Sequence, residues 1–128
     1  MEYYFSKLLN TSFDEAIKLT NEALKTEGFG VITEINMHEK LKEKLNVDFK
    51  RYTILGACNP PFALKALQAE DKIGTMLPCN VLVIEQSQDK IEIAAVNPIA
   101  SMQAITNPAL GDVAQQVTAK LKKVIDTL

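Results

Sequence analysis

The chain's most reactive side chains are two cysteines in near mirror-image settings, Gly56-Ala57-Cys58-Asn59-Pro60 and Leu77-Pro78-Cys79-Asn80-Val81. A thiol acts as nucleophile or soft ligand only as the thiolate, so its surroundings decide its chemistry. Cys58 stands just ahead of an Asn-Pro-Pro helix start, where unpaired amides and the positive end of the helix dipole favour the thiolate and lower its pKa below about 8.5. One reading is a thiol enzyme or redox sensor in which Cys58 attacks and Cys79 resolves. Another is a pocket at the two strand ends, where the amides of Asn59 and Asn80 hydrogen-bond a small molecule beside a soft thiol. The plainest is that both cysteines only pack, because free cysteine is among the most buried residue types.

Other chemistries find less support. A closed zinc site needs about four ligands, and the chain offers two cysteines, one histidine and neither Cys-x-x-Cys nor His-x-x-x-His spacing, so no metal is expected. His38, in the first turn of a charged helix, reads as an ordinary exposed histidine. The glycines Gly28, Gly30, Gly56, Gly74 and Gly111 match neither phosphate-loop spacing. No acidic residues form a distinctive pair for acid–base work, and no cofactor is indicated.

The elements that must position the cysteines are legible. Glu2 to Leu9 predicts a first strand. Ser12-Phe13-Asp14-Glu15 has capping-box form and opens a helix whose apolar face is Phe13, Ala16, Ile17, Ala23 and Leu24, stopped by Gly28. Phe29 to Ile35 predicts a second strand with Phe29, Val31, Thr33 and Ile35 on one side. A surface helix follows with the narrow stripe Met37, Leu41 and Leu45. Tyr52 to Cys58 predicts a central strand in which Gly56 allows close approach of a neighbour.

Asn59 then caps a helix that buries Phe62, Ala63, Ala66 and Leu67. Cys79 to Glu85 and Ile91 to Val96, joined across Ser87-Gln88-Asp89, predict a hairpin. Asn97-Pro98 opens a short helical segment, and Asn107-Pro108 a long helix with Leu110, Val113, Ala114, Val117, Leu121, Val124, Ile125 and Leu128 at helical spacing. Whether the cysteines meet depends on how their strands pair. Antiparallel neighbours bring them to one end of the sheet, parallel ones separate them by roughly 17–20 Å, and the mirrored settings favour the shared end.

At 128 residues one domain is expected, with 47% hydrophobic and 23% charged residues in the ordinary globular range. The formal net charge of −2 supplies no field to attract a polyanion, so nucleic acid is a poor partner. No basic-then-apolar leader and no apolar run of about 18 residues is present, which predicts a cytoplasmic protein away from membranes, with reduced thiols.

Taken in order, Gly28-Phe29-Gly30-Val31, Glu34-Ile35-Asn36, Leu41-Lys42-Glu43-Lys44-Leu45, Tyr52-Thr53-Ile54-Leu55-Gly56-Ala57-Cys58-Asn59-Pro60 and Leu77-Pro78-Cys79-Asn80-Val81 resemble the domain of unknown function 302 family along essentially the whole chain. The resemblance implies a prokaryotic α+β domain over residues 1–128, a sheet of about four to five strands covered by helices, and a homodimer. It carries no agreed substrate, cofactor or catalytic residue. The matching positions Glu34, Asn36, Cys58, Asn59, Pro60, Cys79 and Asn80 become candidate site residues. The expected function is a dimeric small-molecule or partner-binding module, with the thiol enzyme and the purely structural protein as its rivals.

Overall fold

Alternating apolar positions build the strands and 3-4 spaced ones the helices, and the two patterns meet on one side of a sheet. The computed structural model describes residues 2–128. The elements are β1 (Tyr4–Leu9), α1 (Phe13–Thr26), β2 (Gly30–Asn36), α2 (Met37–Leu45), β3 (Tyr52–Cys58), α3 (Pro60–Ala69), a 3-10 helix (Asp71–Met76), β4 (Cys79–Ser87), β5 (Lys90–Val96), α4 (Pro98–Ser101) and α5 (Leu110–Thr127). The strands form one antiparallel sheet in the order β1-β5-β4-β3-β2, so the fold is α+β.

The register assigns each side chain a face. Leu55 and Ala57 of β3, Cys79, Val81 and Val83 of β4, and Ile91, Ile93 and Ala95 of β5 stand side by side on the face that α1 and α5 cover. With Phe13, Ala16 and Leu24 of α1 and Val113, Val117, Leu121, Val124 and Ile125 of α5 they form the buried core. On the other face Leu8 and Ile35 are 54% and 40% exposed, and Tyr4, Tyr52, Leu82, Ile84 and Ala94 line a shallow concavity of about 420 Å³.

Local signals act as their chemistry dictates at both ends of α1. The Ser12 hydroxyl accepts from the Glu15 amide at 3.1 Å, and Gly28, with φ of 84°, takes the left-handed turn that lets the Phe29 amide reach the Leu24 carbonyl. Gly56 is required by contact: a Cβ there would lie 2.1 Å from Thr33 Oγ1 and 2.7 Å from Pro78 Cγ.

Several expectations need correction. β2 does not keep one alternation, because the register shifts between Val31 and Thr33; Val31 pairs with Ala57 and Thr33 with Gly56, so the two side chains face opposite ways. His38 is half-buried rather than exposed, since its Nδ1 accepts from the Tyr52 amide at 2.9 Å and its ring packs edge-on against Phe13. Asn59 occupies the cap position of α3 but makes no cap bond; its Nδ2 donates to the Glu27 carbonyl at 3.1 Å instead. Of the expected buried face of α3, only Ala66 is buried, and Leu67 is 46% exposed. β1 begins at Tyr4 and α5 at Leu110, both later than read from sequence, and the 3-10 helix was not anticipated because its Lys-Ile-Gly-Thr core carries no periodic pattern.

Candidate functional site

β3 and β4 are antiparallel neighbours, so the end of one and the start of the other lie together. Ala57 pairs with Cys79 and Gly56 with Asn80. The two cysteines therefore share one end of the sheet, the arrangement favoured from their mirrored settings. Both thiols are free; Cys58 is half-buried and Cys79 buried. Burial, reinforced by the neighbouring Cys58, pushes the Cys79 thiol up to about 11.

Beside them the helices stand off the sheet and leave an apolar cavity of about 320 Å³. Cys58, Asn59 and Cys79 contribute to its wall from the sheet side, Phe62, Ala63 and Ala66 from α3, Met102 from the turn after α4, and Val113, Ala114 and Val117 from α5. Small side chains at Ala63, Ala66 and Ala114 create the space. No charged residue lines it. Its volume falls at the lower end of the range for ligand pockets, roughly 300–1,000 Å³.

Asparagines brace the surrounding helices. Asn107 Nδ2 donates to the Ala69 carbonyl at 2.8 Å, joining the approach to α5 to the end of α3. Asn97 Oδ1 accepts from the Ile99 amide at 3.1 Å and from Thr118 Oγ1 at 3.5 Å, tying α4 to α5. Asn59, held to the Glu27 carbonyl, locks the start of α3 against the end of α1. Each such bond satisfies a polar group that the packing would otherwise strand, and no buried side-chain polar atom among the described residues lacks a partner.

The remaining candidates lie elsewhere. Asn80, opposite Gly56, is exposed and lines the concavity on the open face of the sheet. Glu34 pairs with Leu55 on the edge strand and is exposed. Asn36 pairs with Thr53, whose hydroxyl donates to its Oδ1 at 2.7 Å. Because Cys58 pairs with Gly30, Asn36 stands five residues along β3 from the cysteine end, about 17 Å at 3.4 Å per residue. Thus Cys58, Asn59 and Cys79 converge, while Glu34, Asn36 and Asn80 do not join them. The wall from α4 and α5 was missed from sequence; its only signal was alanine on facing helices where larger residues would fill a core.

The family model described as Domain of unknown function DUF302 matches residues 5–128. The chain belongs to the DUF302 family. Its fold is similar to the crystal structure of an uncharacterized conserved protein DUF302 from Bacillus stearothermophilus, with 31% identity, a TM-score of 0.89 and 98% of each chain covered. No curated protein matches the chain. The DUF302 assignment agrees with the resemblance carried by the cysteine segments, and it attaches no substrate to them. No helix among the described residues is long and apolar enough to cross a membrane, and none of their His, Cys, Asp and Glu side chains cluster as metal ligands.

Proposed function

We propose that this DUF302 chain is a cytoplasmic, homodimeric binding module for a small, largely apolar molecule, held in the cavity beside Cys58, Asn59 and Cys79. The observation that carries this reading is the cavity itself: helices that pack closely on the sheet elsewhere part at one end and leave about 320 Å³ walled by aliphatic, aromatic and sulfur-bearing side chains. Apolar surface gathered in one concave recess in this way is what a ligand site presents, and apolar ligands gain from filling it. The ionisation of Cys79 weighs against the thiol-enzyme rival, because a resolving thiol must attack as thiolate, and burial pushes this one up to about 11.

The homodimer is supported by the uncovered face of the sheet. A five-stranded face with strands spaced about 4.8 Å and some six residues long spans on the order of 480 Å² per copy before side-chain relief, so two faces together approach the roughly 1,000 Å² that a specific interface needs. Tyr4 and Leu82, each partly exposed, supply apolar side chains there.

The test of the binding reading is a thermal-shift screen of small apolar compounds against the protein and against an Ala63→Leu variant that fills the cavity. A ligand that binds only the folded chain raises the melting temperature, and Ala63→Leu should abolish that shift. No shift with any compound, or shifts unaffected by the filled cavity, would sink the proposal.

A further inference from the structure

Phe62, one wall of the cavity, carries two cations on its ring: Lys65 Nζ of α3 stands 5.6 Å from the ring centroid and Lys120 Nζ of α5 6.0 Å. Neither ammonium pairs with a carboxylate among the described residues. The carboxylates placed nearby by their contacts are already engaged: Glu27 with Lys123 at 3.5 Å, and Glu70 with Asn107 Nδ2 at 3.2 Å. Two helices thus bring two uncommitted positive charges to the rim of a pocket that has none inside. Other polar clusters in the molecule are satisfied by their own neighbours, as His38 is by Tyr52 and Arg51 by Glu85.

Resting on the cavity being a binding site, we propose that its ligand is an anionic amphiphile: an apolar chain or ring lodged between α3 and α5, with a carboxylate or phosphate head held by Lys65 and Lys120. Desolvation divides the molecule in this way. A charge carried into the apolar cavity would lose its hydration with no partner to replace it, whereas the same charge at the rim keeps water on one side and two ammonium groups on the other. The exposed aliphatic side chains of Ile32 and Leu67, also on the cavity wall, mark where the ligand meets solvent. A cationic amphiphile of equal tail would be repelled there, and a neutral one would gain only the tail.

The experiment is calorimetric titration of the full chain with decanoate, decyl phosphate, decanol and decylamine, repeated on Lys65→Gln and Lys120→Gln. Either anion should bind, decanol more weakly by about tenfold or more, and decylamine not measurably. Each lysine substitution should weaken the anion about fivefold, the scale of a partly solvated ion pair, and leave decanol unchanged. Both lysines are at the surface or partly so, so the variants should fold, and circular dichroism checks that they do. Decanol binding as tightly as the anions, or anion affinity unmoved by both substitutions, overturns the anionic head while leaving the apolar binding site standing. Absence of binding by all four compounds overturns the two together.

Discussion

Cys79 provides a test of the site that needs no ligand. It is 8% exposed, sits on the core face of β4 opposite Ala57, and burial together with Cys58 pushes its thiol from about 9 up to about 11. In the unfolded chain the thiol ionises near its ordinary value, so between pH 9 and 11 the folded state holds a proton that the unfolded state has released. The raised folded pKa thus contributes stability that is fully present below pH 9 and is lost as pH rises toward 11. A two-unit displacement corresponds to about 2–3 kcal/mol at 1.36 kcal/mol per unit.

Because lysines and tyrosines titrate in the same window, the quantity to measure is a difference. Urea unfolding of the protein and of Cys79→Ala, at intervals from pH 8 to 11, should give curves that converge or cross as the intact protein loses its extra term. The same displacement leaves about one hundredfold less thiolate at neutral pH than an ordinary thiol would have. Iodoacetamide followed by mass spectrometry should therefore modify Cys58 well before Cys79. Parallel stability curves over the whole range, together with equal alkylation of the two residues, would refute the buried-thiol account and reopen the thiol-enzyme reading.

Other expectations follow from packing. Leu121 is fully buried on the core face of α5, and Leu121→Ala removes three carbons at about 0.8 kcal/mol each before the cavity term, so chemical unfolding should report a loss of about 2.7–5 kcal/mol. Gly56→Ala forces a methyl against Thr33 Oγ1 and the Pro78 ring, and should cost about 1–3 kcal/mol, with Thr33→Ala restoring only the part due to the threonine. The dimer should appear in light scattering at twice the 14.2 kDa chain mass, and Leu82→Lys on the open face should reduce it to the single-chain mass.

Most of the elements were readable because each rests on a local device. Ser12 caps, Gly28 reverses the chain, and the Val81-Leu82-Val83-Ile84 run has no other use than a buried strand. Failures came where a side chain serves a distant partner. Asn59 has the composition of a helix cap, yet the Glu27 carbonyl claims it, and that claim leaves no trace in the nearby sequence. The β2 bulge comes with Thr33 pressed onto Gly56 of β3, a contact between residues 23 positions apart. Half of the site was foreseeable in the same way. Two mirrored cysteine segments announced a shared strand end, but an empty space between α3 and α5 is made by what several helices fail to fill, and no motif encodes it.

The seating of β1 beside β5 also governs how the chain reaches its native form. Strands β2 to β5 follow one another as a meander and can assemble as they leave the ribosome, but Tyr4 to Leu9 must wait for partners at Ile91 to Val96. That separation raises the contact order and leaves the first strand's hydrogen-bonding edges unclaimed until nearly the whole polypeptide is made, which slows folding and invites chaperone attention. The same closure ties the end of α5 to the first strand: Lys7 Nζ donates to the backbone oxygens of Asp126, at 3.1 Å, and of Leu128. A circular permutant opened at the Gln88-Asp89 turn would turn the sheet's most local pairing, β4 with β5, into its most distant one, and should refold more slowly than the natural order.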